Sequence, residues 1–379
     1  MAEARALEEQ LPGIEAHAHA RAVLGPALGR SGGASHAYLF YGPAGTGKRT
    51  IARAFAAALL AEGARDGATV AERVRRDAHP DLTWVSPSGA AEMLVADIEE
   101  PVVAAAARTP FESSRRVFVI EQAEAMNEQA ANRLLKTLEE PAAFVHVLLL
   151  TDRREQVLAT ISSRCQQVRF DPLPAGLIAE RLEARDGVEA ERALACARLA
   201  FGDASRAARL AGEEGVALRA RAEEFVRAVL AGATAGRPWT GILDLAREAG
   251  ARAGERAAER MAGELELVPS RERRRYEREG LEARRRGERR ARRDSLDLAL
   301  GLAELWLRDV LCVCEGAPDL VYALDRRGEL ERDAEGRDGG RLARGAALVG
   351  ETRLSLSVNV SEELALEALA YRLQELLAG

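Results

Sequence analysis

The chain is 379 residues long, 47% apolar and only 4% aromatic, with a net charge of −6. That length allows two or three domains with real cores, the scarcity of aromatics points to Ala- and Leu-rich helices, and the mildly acidic balance excludes a global pull toward nucleic acid. Cysteines at 165, 196, 312 and 314 form no disulfide framework and suit a reducing cytoplasm; the acidic start Met1–Glu9 lacks an apolar signal core, and no run reaches the roughly 20 apolar residues of a membrane span.

Residues 1–35 read as helical, with a Gly/Ser break at Ser31-Gly32-Gly33. Strands and helices then alternate. Strands are expected at 38–41, 81–85, 117–120, 145–150 and 167–170, and helices at 51–60, 98–107 and 127–139, the last ended by Pro141. This alternation predicts a five-stranded parallel sheet covered on both faces, with its ligand crevice at the carboxyl ends of the strands. After Pro172-Leu173-Pro174 the pattern turns helical, with three short helices over 175–185, 188–201 and 204–210. Gly232–Pro238 reads as a loop. A long helical stretch over 255–311 is expected to break near Pro269 and to be weakened at Gly280 and Gly287. Leu296, Leu300, Ala303, Leu307, Val310 and Cys314 form one helical face. Residues 325–350, rich in Gly and charge, read as a mobile loop. Ser361 is placed to cap a last helix with Leu366, Leu369, Leu373 and Leu376 on one stripe.

The charge is uneven. Arg271–Asp294 holds 12 Arg against 6 acidic residues, +6, leaving −12 for the remainder. Pairs such as Glu282/Arg286 and Glu288/Arg292 suit a solvated helix; contact with DNA or an acidic partner is the competing reading. Cys312 and Cys314 read as small core residues.

The chemistry centres on Gly42-Pro43-Ala44-Gly45-Thr46-Gly47-Lys48-Arg49-Thr50. An apolar strand precedes it and a helix follows, the context of a P-loop. Its glycines let backbone N–H groups close on phosphate oxygens at a helix N-terminus, and Lys48 would reach the outer phosphates. Lys48 and Lys136 are the only lysines in the chain, so a lysine here by chance is improbable. Arg49 stands where a Ser or Thr hydroxyl would hold Mg²⁺, and Thr50, about 100° further round the helix, is a poor substitute. The third strand runs into Glu121-Gln122 rather than the Asp-Glu pair of a P-loop ATPase. Glu121 either reaches a metal through water or simply closes a buried strand. Thr151 ends the fourth strand, where a polar residue could sense a γ-phosphate.

The order of motifs resembles the bacterial clamp-loader group of AAA+ ATPases. It runs from His36-Ala37-Tyr38-Leu39-Phe40 through the P-loop, His79-Pro80-Asp81-Leu82 and Arg115–Ile120 to Asn132-Arg133-Leu134-Leu135-Lys136-Thr137-Leu138-Glu139-Glu140-Pro141 and Ser163-Arg164-Cys165. The resemblance is dense over 36–172, looser over 173–215 and faint beyond, where Asn359–Glu367 is similar to the collar end of the group. Within it the likeness is to the delta-prime branch of DNA polymerase III. Motor subunits of the gamma/tau branch carry the hydroxyl and the Asp-Glu pair that this chain lacks.

The resemblance implies an α/β P-loop AAA+ domain over 1–172, a three-helix lid over 173–215 and an all-α collar for oligomerisation over 216–379. It implies a non-motor subunit of a cytoplasmic DNA polymerase III clamp loader, without ATPase or polymerase activity of its own, working beside delta and gamma/tau. Through that complex it would act with the sliding clamp and primer-template DNA. It assigns Arg164 as an arginine finger acting in trans on a neighbour's ATP, and Arg206 as a lid sensor. ATP or ADP is the cofactor expected at Gly42, Gly45, Thr46, Gly47, Lys48, Arg49, Thr50, Glu121, Thr151 and Arg206. A four-Cys zinc module common in the group has no cysteines here between the P-loop and the second strand, so neither zinc nor another bound metal is expected. The alternative is a gamma/tau-like motor that hydrolyses ATP itself.

Overall fold

The computed structural model describes residues 7–29, 33–87, 92–265, 273–356 and 360–377. The breaks read at Ser31-Gly32 and Pro269, residues Arg271 and Glu272 of the Arg run, and Asn359 lie outside the described residues. The chain divides into two compact units, 1–174 with 202–204, and 175–201 with 205–379.

The first unit is built on five strands: β1 (Ala37–Tyr41), β2 (Leu82–Val85), β3 (Arg116–Ile120), β4 (Val145–Thr151) and β5 (Gln166–Arg169). All pair in parallel, in the order β2-β3-β4-β1-β5. Every residue of β4 is buried, the mark of a central strand covered on both faces. Leu39, Phe118, Ile120, Val147 and Leu149 face one side, packed with Leu134 and Leu138 of the helix Glu128–Glu139. Tyr38, Phe40, Val117, Val119, Leu148 and Leu150 face the other, against Ile51 and Phe55 of the helix Lys48–Ala61 and Leu24 of the helix Ala18–Leu28. Asn127 caps Glu128–Glu139 by accepting the Ala130 N–H at 2.9 Å.

The polar stretch before β2 contains a helix that the sequence reading passed over, Gly67–Arg75. Asp66 caps it by accepting from the N–H groups of Ala68 and Thr69. The helix expected over 98–107 begins earlier, at Val95, and widens to a π-helix over Glu99–Ala104.

Asp81, of the His79-Pro80-Asp81-Leu82 motif, is fully buried. Its carboxylate accepts the N–H groups of Phe111 (2.5 Å), Glu112 (2.9 Å) and Ser113 (2.9 Å), and so shapes the loop that leads into β3. Burial raises its pKa, but the three backbone bonds together outweigh it, leaving the group below its ordinary value of 3.8. A carboxylate depressed by folding stabilises above its unfolded pKa and loses that contribution as pH falls through the folded value. Asp81→Ala orphans three N–H groups at about 1–3 kcal/mol each when buried, so the first unit should melt several degrees lower at pH 7. The gap between wild type and variant should shrink below pH 3.8, read by circular dichroism melts.

The second unit is helical. Ala175–Asp186, Ala190–Leu199 and Ala204–Ala211 match the three expected short helices. Glu213–Leu230, Thr240–Leu265, Arg273–Cys314, Arg327–Ala334, Gly339–Leu356 and Glu362–Leu377 follow. Arg273–Cys314 runs unbroken through Gly280 and Gly287 as one helix of 42 residues. A Cβ at Gly280 would lie 2.1 Å from the Met261 sulfur, and one at Gly254 would lie 2.1 Å from Glu288 Oε1. The glycines therefore let Thr240–Leu265 and Arg273–Cys314 lie close together as an antiparallel pair. Residues 325–350, read as a mobile loop, hold two helices with Leu330, Leu342 and Val349 buried.

Buried and half-buried charges tie that segment, and the turn before it, to the rest of the unit. Arg219 donates to both carboxylate oxygens of Asp325, each at 2.8 Å, and its Nε lies 2.9 Å from Glu223. Trp306 Nε1 and Arg227 Nε both reach Asp333, at 2.9 and 3.2 Å. Asp309 accepts the N–H groups of Tyr322 and Ala323. The apolar face from Leu296 to Val310 is buried as expected, while Cys312 and Cys314 are half-buried; the Cys314 thiol donates to the Ala334 carbonyl at 3.3 Å. In the last helix Leu377 rather than Leu376 is buried with Leu366, Leu369 and Leu373. Among the described residues no helix is long and apolar enough to cross a membrane.

Candidate functional site: the phosphate loop and its surroundings

Parallel pairing brings three strand ends together. Tyr41 lies beside Thr151 on β4 and Arg169 on β5, and Ile120 of β3 lies beside Leu149. The loop after β1, the Glu121 turn after β3 and the Thr151-Asp152 turn after β4 therefore share the carboxyl edge of the sheet.

The loop needs its glycines. Gly42, Gly45 and Gly47 have φ of 146°, 67° and 93°, which a side chain would resist. A Cβ on Gly42 would come 2.0 Å from the Phe170 carbonyl oxygen, and one on Gly45 would come 1.6 Å from Asp203 Oδ1. Thr46 is buried; its hydroxyl donates to the Pro43 carbonyl at 3.0 Å, and its own carbonyl accepts from His17 Nε2 at 2.8 Å.

Lys48 opens the helix, with 6% of its side chain exposed. Its Nζ donates to the carbonyls of Gly42 (2.7 Å) and Pro43 (2.5 Å) and pairs with Asp152 Oδ1 at 2.7 Å. The ammonium thus has three oxygen partners inside the protein, enough for its three donors. Arg49 Nε lies 2.6 Å from Glu121 Oε1; the arginine is 69% exposed and the glutamate 12%. Glu121 also accepts from Trp84 Nε1 at 2.7 Å and Ser86 Oγ at 3.2 Å. Gln122 follows in a left-handed turn, φ 52° and ψ 53°. Thr50 is exposed, beside Arg49, Arg53 and Ala54 on the wall of a cavity of about 1040 Å³. Thr151 is buried, and its hydroxyl accepts the Arg153 N–H at 3.0 Å.

Arg206 belongs to the second unit, on the helix Ala204–Ala211. Arg164 precedes β5, at the opposite edge of the sheet from the loop, roughly 15–20 Å away at about 3.3 Å of rise per residue. Its guanidinium is held by the Thr160 carbonyl (2.8 Å) and Glu139 (2.6 Å) and stays 37% exposed. Beside it, burial pushes the Cys165 thiol up to about 12, leaving it protonated and inert.

The sequence reading did not foresee the loop's own partners. Asp152 was visible only as a strand end, and Trp84 only as a β2 residue. Asp203 and His17 meet the loop from distant parts of the chain, and no local pattern signals such approaches. Among the described residues no group of three or more His, Cys, Asp or Glu side chains is placed to hold a metal ion.

A five-stranded parallel sheet in this order, with a P-loop on β1 and acidic and polar residues ending β3 and β4, is the fold of an AAA+ P-loop domain. Residues 27–174 match the family described as DNA polymerase III, delta subunit. The chain is 40% identical over 145 residues to DNA polymerase III subunit delta' of Pseudomonas aeruginosa, covering 37% of this chain and 44% of that protein. It is 36% identical over 158 residues to subunit delta' of Bacillus subtilis, covering 40% and 47%. Against subunit tau of Bacillus subtilis it is 32% identical over 156 residues, covering 39% and 27%. The likeness to delta-prime subunits holds over the P-loop unit; the chain spans less than half the length of each of these relatives.

Proposed function

We propose that this chain is a non-motor, delta-prime-like subunit of a DNA polymerase III clamp loader, with an AAA+ domain over 1–172, a lid over 173–215 and a collar over 216–379. It would assemble with delta and gamma/tau subunits, support ATP-dependent loading of the sliding clamp on primer-template DNA, and supply Arg164 to a neighbour's ATP site. The observation that carries the non-motor reading is the Arg49–Glu121 ion pair. Mg²⁺ demands near-octahedral oxygen coordination. Here the hydroxyl position holds a cation, and the strand-end carboxylate is engaged by Arg49, Trp84 and Ser86. The residues do not fit a catalytic Mg²⁺, and no hydrolytic step is assigned to this loop. The glycine conformations do suit an anion, but ATP or ADP would have to draw Lys48 from Asp152 and the loop carbonyls.

Arg164 supports the second half of the reading. It sits at the sheet edge away from its own loop, exposed and oriented by Glu139, so any phosphate it meets belongs to another subunit. Arg206 is assigned as a lid sensor by family resemblance alone.

The isolated chain should hydrolyse no ATP above background, and Lys48→Ala should change nothing. Turnover that needs both Mg²⁺ and Lys48 would instead favour the motor reading, which the similarity to tau keeps in view. Co-purification with delta and gamma/tau, then clamp loading with and without this chain, tests the assembly role.

A further inference from the structure

The helix Arg273–Cys314 carries four arginines that form no ion pair among the described residues. Arg278, Arg285, Arg289 and Arg293 are exposed, and none forms an ion pair or hydrogen bond among the described residues, whereas Arg284, Arg286, Arg290 and Arg292 are paired with Glu288, Glu282, Asp294 and Glu362. At 100° per residue the four unpaired positions fall within about 80° of arc, and at 1.5 Å per residue they span about 22 Å. Gly280, which meets Met261 of the antiparallel neighbour, lies opposite the stripe, while Glu288 and Arg292, which meet Gly254 and Gly250, lie just beyond its Arg285 edge. The stripe borders the neighbouring helix along one edge, and its four arginines are exposed.

We propose that this stripe binds the phosphate backbone of duplex DNA without reading its sequence. The site is distinct from the P-loop and from Arg164, and it assigns to this chain itself a DNA contact that does not depend on the clamp-loader reading. Duplex DNA offers one negative charge per about 1.7 Å of axis, so a row of guanidiniums about 22 Å long meets phosphates along its whole length. Within the stripe between 278 and 293 the other residue is Glu282, already paired with Arg286. No aromatic or large aliphatic side chain lies within it, and Leu281 alone flanks it as an exposed apolar residue, too little for an apolar face. A membrane-surface helix needs an apolar face beside its charges, and a protein interface needs buried anchors; phosphate contact needs only the charges.

The test uses the full chain and a fluorescent duplex of arbitrary sequence, about 20 base pairs long, followed by anisotropy from about 50 to 200 mM NaCl. Four phosphate contacts give a slope of log K against log salt of about −3.6, a loss of roughly 150-fold over that range. The quadruple variant R278A/R285A/R289A/R293A should lose most of the affinity and flatten the slope by about 3 to 4, since each phosphate contact accounts for about 1. Alanine favours helix at exposed positions, so circular dichroism should show the variant folded. The quadruple Arg→Lys variant should retain the slope. Unchanged binding by the alanine variant overturns the proposal, as does tighter binding to polyglutamate or to phosphatidylserine vesicles than to the duplex.

Discussion

In a reconstituted loader, Arg164→Ala should lower ATP turnover at the adjoining motor site by about 10³–10⁵-fold, the range that arginine fingers supply. The side chain is already set for this. Glu139 and the Thr160 carbonyl hold one edge of the guanidinium, which stays 37% exposed. A fixed charge waiting at the surface loses little entropy when a phosphate arrives. Arg164→Lys should recover only part of the rate, because an ammonium keeps the charge but loses the planar, two-pronged donor. Glu139→Ala should cost less than either, since it loosens the finger without removing it. Gel filtration shows whether each variant still assembles. Full turnover in an assembled Arg164→Ala complex would remove Arg164 from the reaction.

The largest stability effect should come from the second unit. Arg219 and Asp325 form a two-pronged pair with side chains 8% and 11% exposed, and burial also raises the pKa of the adjoining Glu223. Asp325→Ala leaves the Arg219 cation buried with Glu223 alone. Breaking a buried pair from one side costs about 3–5 kcal/mol, which for a unit of this size lowers Tm by roughly 6–20 °C. Replacing both partners, as R219M/D325L, should cost much less, because no charge is then stranded. Equal losses in the single and double variants would mean that packing around residue 325, not charge, holds this segment.

β1, β3 and β4 were legible because each is a compact apolar run bounded by turns, and the P-loop because its glycines and lysine are local. The helices at 327–334 and 339–356 were not. Read alone, the composition from Asp325 to Gly350 says loop, since Gly and charged residues dominate it; the partners that hold it, Arg219, Arg227 and Trp306, lie elsewhere in the chain. The same holds for the candidate site. Gly45 and Lys48 could be read from the sequence, but the carboxylates beside them, Asp203 and Asp152, are brought there by the fold. Gly280 shows the opposite error. Helix propensity marks it as a weak point, yet in a tightly packed helix pair the missing side chain is what lets Met261 approach.

The Arg49–Glu121 pair also sets how substitutions around the loop combine. Arg49→Ser, the first step toward a metal-binding loop, would strip a largely buried carboxylate of its cation while Trp84 and Ser86 still hold it in place. Gln122→Glu, taken first, would set a second negative charge beside the first. Each single change should destabilise the loop, and only the combined change supplies both a hydroxyl and a second carboxylate. Positions 49 and 122 are therefore coupled through Glu121, and the effect of changing both should differ from the sum of the single effects.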